Sequence, residues 1–223
     1  MIKIFEDKTF IIVNDRHKGY YKNESVGIMA KLFCMMGKSA SGKDTIYKRL
    51  ISDASLGLHT VIPYTTRPIR SGEAEGVEYW FVNEAQFADY KAAGKIIEDR
   101  VYQTIYGPWR YFMVDDGQID FSKGHFIVIG TLESYNMIRA YYGDDRVVPI
   151  YIDVEDGLRL SRALERERQQ NQPKYAELCR RFLADCDDFS EEKLKSSGIS
   201  QIFENDELEA CIAHVKAAIQ SYV

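Results

Sequence analysis

The segment from Lys31 to Ile51, KLFCMMGKSASGKDTIYKRLI, constrains this chain more than any other. Lys31–Met36 is a short apolar run with the character of a buried strand. Gly37–Gly42 is a Gly/Ser loop, and a helical pattern follows with Ile46, Leu50 and Ile51 on one face. A glycine-rich turn between strand and helix directs backbone N–H groups and the positive helix terminus at an anion. Gly37, Ser39, Ala40, Ser41, Gly42, Lys43, Asp44 and Thr45 are therefore candidate phosphate-binding residues, with Lys43 reaching the outer phosphates. The residue after the lysine is Asp44 rather than Ser or Thr. A carboxylate beside phosphates is repulsive unless a cation bridges them. Asp44 and Thr45 thus form a candidate magnesium site, or Asp44 serves the start of the helix, where a carboxylate is favoured.

The rest of the chain alternates strand and helix signals. Residues 2–13 read as two short strands and 14–28 as a polar linker, together an N-terminal extension. Residues 58–64 read as a strand, and 65–79 are polar. Residues 80–115 mix short strands with one helix, 83–93, and have the character of an insertion. A strand at 125–129, a helix at 132–142 and a strand at 147–154 follow. Helices at 155–169 and up to 188 flank Pro173; a strand at 199–204 and a helix over 206–222 close the pattern. This order predicts an α/β fold, a mostly parallel sheet with helices on both faces. The body is assigned to residues 29–64 and 116–223, and the insertion to 65–115.

Composition narrows the function. The 223 residues carry 29 Lys+Arg against 34 Asp+Glu, a net charge of −5, so no basic excess points to nucleic acid. Four dispersed cysteines, Cys34, Cys179, Cys186 and Cys211, form no C-x-x-C pair and read as reduced thiols of a cytoplasmic protein. No apolar stretch has the length of a membrane span, and residues 1–21 lack a secretory apolar core.

Residues 65–81 read TTRPIRSGEAEGVEYWF. With the loop at 37–45 they resemble the guanylate kinases, whose acceptor motif T-T-R-x-x-R-x-G-E-x-x-G-x-x-Y-x-F is met at every fixed position; the resemblance covers roughly residues 31–222. It implies a P-loop NTPase-type sheet, an acceptor-binding insertion and a helical lid at about 158–188. It implies transfer of the γ-phosphoryl group of ATP to GMP with Mg²⁺; composition and charge add the expectation of a cytoplasmic protein, monomer or homodimer, that binds neither nucleic acid nor membrane. Arg67 and Arg70 would clamp the acceptor phosphate with planar forks, and Tyr79 and Tyr106 would donate hydroxyls to it. Glu73 would hold the arginines. Glu98 would read guanine, since one carboxylate can accept from N1–H and the 2-amino group together. Arg162, Arg166, Arg168 and Arg181 of the lid would neutralise the transferring group, and Asn205 would stand near the adenine pocket.

Three positions depart from that family. Pro63 and Pro108 stand where it carries hydroxyl residues, and Gly130 where it carries an aspartate near the base, with Thr131 or Glu133 as candidate replacements. Two other readings follow: a kinase of the same family with a different acceptor, such as another nucleotide or a sugar phosphate, and a binding module that has lost catalysis. Retention of Gly37, Gly42 and Lys43 argues against the second.

Overall fold

A computed structural model describes residues 29–70, 72–104 and 107–222. The expected N-terminal hairpin and linker, and Tyr106, lie outside these residues. The body is a five-stranded, wholly parallel sheet in the order β2 (His59–Thr60), β7 (Phe126–Ile129), β1 (Leu32–Met36), β8 (Val147–Asp153), β9 (Ile202–Glu204). β1 is central and entirely buried, which is why its five residues are all apolar. Its side chains alternate between two cores. Leu32, Cys34 and Met36 face Leu132, Tyr135 and Ile138 of α3 (Leu132–Tyr142). Phe33 and Met35 face Ile46 and Leu50 of α1 (Lys43–Ile51) and Cys211, Val215 and Ile219 of α7 (Leu208–Gln220). Helices therefore cover both faces, as the alternation of strand and helix signals requires.

A second, four-stranded sheet has the order β4 (Trp80–Phe81), β3 (Tyr64–Thr65), β6 (Gly107–Val114), β5 (Ile96–Thr104). Helix α2 (Glu84–Ala92) starts at a capping box between Asn83 and Gln86 and packs Phe87 against Tyr64, Phe112 and Val114. Ile97 and Met113 cross from this sheet into the core of the body, which fixes the two sheets to each other.

The expected single strand at 58–64 is corrected. It is broken between the sheets, β2 belonging to the first and Tyr64 to the second. Pro63 has no N–H to offer a ladder. The backbone of Ile62 turns instead to the side chain of Gln118, which accepts from its N–H at 3.0 Å and donates to its carbonyl at 3.2 Å. Two helices span the expected lid, α4 (Asp156–Arg168) and α5 (Tyr175–Asp188), and no residue of α5 is fully buried. A short helix that the sequence pattern did not announce, α6 (Glu191–Ser196), connects the lid to β9.

Candidate active site

The phosphate loop leaves β1 and enters α1. A Cβ on Gly37 would lie 2.4 Å from the Ile152 carbonyl oxygen and 2.8 Å from Ser41 Oγ, so no larger residue fits there. Gly42 has φ +84°, and a Cβ on it would meet Asn205 Nδ2 at 2.4 Å. Ala40 also adopts a positive φ of 65°, unusual for a residue with a Cβ. Asn205, buried just beyond β9, donates Nδ2–H to the Ser41 carbonyl at 2.7 Å and its own N–H to the Asp153 carbonyl at 2.8 Å. It thus braces the loop from below.

Ser41 Oγ and Asn205 Oδ1 are buried without a hydrogen-bond partner. Unsatisfied polar atoms beneath a loop that side chains would fill fit a site shaped for a polar ligand. Lys43 is half-buried, with Nζ 3.9 Å from Asp44 Oδ2. Asp44 lies in the first turn of α1 but makes no side-chain cap, and both it and Thr45 are exposed. Among the described residues no group of three or more His, Cys, Asp or Glu could hold a metal. Two hard oxygen donors beside a phosphate loop fit a magnesium ion held largely by phosphates and water.

Helix α5, in the expected lid, bonds directly to this loop. Arg181 Nη2 donates to Ser39 Oγ at 3.0 Å, and Ser39 N–H donates to Asp185 Oδ2 at 2.7 Å. A carboxylate therefore occupies a donor of the anion cradle. The residue that ties the lid together is one the sequence pattern did not single out. Arg159, with a side chain 1% exposed, bonds Asp156 Oδ1 at 2.8 Å and lies 3.6 Å from Asp185 Oδ2. Its guanidinium also stacks over Phe182 at 3.9 Å. Arg162 donates to the backbone carbonyls of Asn205 and Asp206. Arg166 and Arg168 are exposed on α4, and Arg168 lies within 3.8 Å of Glu165 on its own helix. The structure thus joins Arg181 to the loop directly and Arg162 to its Asn205 brace, and leaves Arg166 and Arg168 on the outer surface of α4.

The acceptor motif folds around Arg67. Its side chain is 2% exposed and meets Glu73 through two parallel bonds of 2.9 and 2.8 Å. It also donates to Tyr111 Oη at 3.2 Å and to the Pro68 carbonyl, and lies over Tyr79 and Phe81. Glu73 further accepts from Arg70 N–H at 2.8 Å. These bonds, the Arg67 one foremost, hold the Glu73 carboxyl below the usual carboxylate range. The two threonines of the motif do structural work. Thr65 Oγ1 donates to the Arg110 carbonyl, and Thr66 Oγ1 accepts from Arg110 N–H. Tyr111, which contacts both Arg67 and Tyr79, was not foreseen; its cue is the alternation Trp109-x-Tyr111-x-Met113 along β6.

Between the loop after β1 and the Arg67–Tyr79 segment lies a cavity of about 1110 Å³. Lys43, Tyr79, Arg100, Thr131 and Arg180 are among its lining residues. Glu98 is not: its side chain is 1% exposed, and Arg100 covers it with Nε to Oε2 at 2.9 Å and Nη2 to Oε1 at 3.2 Å. The cause is a bulge in β5, where the register slips between Ile96 and Glu98 and two consecutive residues, Ile97 and Glu98, turn inward. Glu98, expected to read the base, thus stands behind Arg100 rather than at the cavity wall. Burial pushes the Glu98 carboxyl upward, and the Arg100 charge pulls it back only in part. Thr131 caps α3 with Ser134 and stands 3.5 Å from Arg100 Nη1. Glu133 is exposed. Below them Cys34 is fully buried, and burial pushes its thiol up to about 12.

A family model described as guanylate kinase matches residues 29–222. Over 201 residues the chain is 26% identical to a guanylate kinase of Porphyromonas gingivalis, covering 87% of this chain and 99% of that protein. It is 39% identical to a guanylate kinase of Symbiobacterium thermophilum over 83 residues, which span 37% of this chain and 39% of that protein. The crystal structure of guanylate kinase from Anaplasma phagocytophilum superposes with a TM-score of 0.59 at 17% identity, covering 86% of each chain, and so shares the fold. Because that family match spans residues 29–222, most of the sequence, this chain belongs to the guanylate kinase family.

Proposed function

We propose that the chain transfers the γ-phosphoryl group of ATP to the phosphate of GMP, giving ADP and GDP. The observation that carries this is the single cleft shared by Lys43 of the donor loop and Tyr79 of the acceptor motif, with Arg67 packed directly behind Tyr79. Two phosphates held at opposite ends of one cavity can meet in line.

The chemistry needs positioning and charge rather than a covalent intermediate. The loop N–H groups and Lys43 hold the donor phosphates. Tyr79, backed by Arg67, and exposed Arg70 hold the acceptor phosphate, whose oxygen is already anionic at neutral pH and attacks without a general base. Arg181 and Arg180 approach from the lid and offset the charge that spreads over the moving group. Asp44 and Thr45 would hold magnesium, which when bound neutralises phosphate charge. Closure of α4 and α5 excludes water. Among the described residues no helix is long and apolar enough to cross a membrane, and a cytoplasmic site of action fits the reduced thiols.

The test is ADP formation from Mg-ATP with GMP, dGMP, AMP, CMP, UMP and ribose phosphates in turn. Turnover with GMP, lost by about 10²–10³-fold in Lys43→Ala, supports the reading. Turnover with a different acceptor alone, or with none, overturns it.

A further inference from the structure

The base end of the cavity is built from residues whose chemistry does not match the guanine edge expected from the sequence. Glu98, Arg100 and Tyr102 alternate along β5 after its bulge and so share a face. Of these, Arg100 and Tyr102 line the cavity, and the Glu98 carboxylate lies behind the guanidinium. A nucleotide in the cavity meets Arg100 first.

Opposite the acceptor clamp, Pro63 and Gly130 line the same space and bring no side-chain donor or acceptor. Gly130 cannot be replaced by the family aspartate without rearrangement, because a Cβ there would lie 2.5 Å from Ser134 Oγ and 3.2 Å from Cys34 Sγ. Swinging Arg100 aside to expose Glu98 would exchange a bidentate cationic partner for the neutral N1–H and 2-amino donors of a base, leaving a buried charge uncompensated.

The guanidinium has five donors. The Nε and Nη2 edge is taken by Glu98. The remaining donors meet Thr131 Oγ1 at 3.5 Å, the limit of a hydrogen bond, and the side chain of exposed Tyr102, weak or solvent-facing partners that a base would replace. Such a fork offers two parallel donors and no acceptor. It cannot take the N1–H and 2-amino donors of guanine. It matches two adjacent acceptors, and a purine with O6 and N7 presents them at the right spacing.

Resting on the GMP reading above, we propose that Arg100 reads the acceptor base through the O6/N7 edge of guanine, and that Glu98 positions Arg100 instead of touching the base. The 2-amino group is then unread, and bases that share O6 and N7 are equivalent acceptors.

The test compares GMP, IMP and 7-deaza-GMP as acceptors for the unaltered protein, with Mg-ATP in excess. IMP keeps O6 and N7 and lacks the 2-amino group; 7-deaza-GMP keeps that group and lacks N7. The expected result is a kcat/KM for IMP within about 3-fold of that for GMP, and for 7-deaza-GMP about 10-fold or more below it. In Arg100→Met the N7 penalty disappears and the KM for GMP rises at least about 10-fold, a change in discrimination that a merely structural residue would not produce. In Glu98→Gln the IMP-to-GMP parity persists while both KM values rise. Rejection of IMP by about 100-fold, with 7-deaza-GMP equal to GMP, overturns this proposal and leaves the GMP kinase reading intact. Absence of GMP turnover overturns both.

Discussion

The Asn205 side-chain amide donates to the Ser41 carbonyl at 2.7 Å, joining residues 164 positions apart. One bond thus ties the strand at the edge of the sheet to the loop at its centre. The carbonyl it satisfies belongs to the residue immediately before Gly42, where the loop turns left-handed into α1. Replacing Asn205 by Ala leaves that buried carbonyl unpaired. The expected cost is about 1–3 kcal/mol in unfolding free energy. Because the loop serves the donor, the KM for ATP rises and that for GMP stays within error. Urea denaturation and a two-substrate kinetic series check both halves.

Gly130 and Ser134 form a second such pair. Introducing Ala or Asp at 130 puts a Cβ 2.5 Å from Ser134 Oγ, and overpacking of this kind costs about 1–3 kcal/mol. Ser134→Ala also loses the Oγ that accepts from Thr131 N–H at 2.7 Å. The double variant Gly130→Ala/Ser134→Ala is therefore expected to be more stable than the sum of the single changes by about 0.5–3 kcal/mol. Additive Tm shifts would show that the clash is relieved elsewhere.

The Arg67–Glu73 pair predicts a pH dependence. The carboxyl of Glu73 titrates below its unfolded value because Arg67 and Arg70 N–H bond its charged form. A depressed carboxylate contributes stability that is fully present above the unfolded pKa of about 4.3 and is lost as pH falls through the lower folded value. The Tm of the unaltered protein should therefore drop more steeply below about pH 4.3 than that of Glu73→Gln, and the two curves should run parallel above pH 6. Calorimetric scans from pH 3 to 7 measure the difference.

Asp185 predicts an effect on the donor nucleotide. Its carboxylate takes the Ser39 N–H at 2.7 Å and brings negative charge to a loop built for phosphate. Asp185→Asn removes the charge and keeps a side-chain oxygen. ATP is expected to bind about 3- to 10-fold more tightly, consistent with about 1 kcal/mol for one partly screened charge near the surface. Isothermal titration with a non-hydrolysable ATP analogue gives the number, and weaker binding would show that Asp185 supports the ligand-bound loop.

Much of the candidate donor loop's shape was legible in the sequence because it is local. Gly37 to Thr45 are contiguous, and a strand before and a helix after suffice to fold them around an anion. Arg67 and Glu73 were legible for the same reason, six residues apart in one turn. Arg159 was not, because a buried arginine and a surface one look alike until the packing of α4 on α5 is known. The break of 58–64 into two strands was likewise hidden, since it depends on Gln118, more than fifty residues away, accepting the Ile62 backbone.

The sequence by itself determined the alternation of strands and helices, the glycine loop between β1 and α1 and the local Arg67–Glu73 segment, all set by periodicity and short spacings. Tertiary structure alone decided which side chain of β5 lines the cavity. A single extra residue in β5 turns Glu98 inward, and the low-exposure pocket it enters holds it only as the partner of Arg100. A buried charge takes the partner that packing brings within hydrogen-bond reach, and no spacing along the chain encodes that.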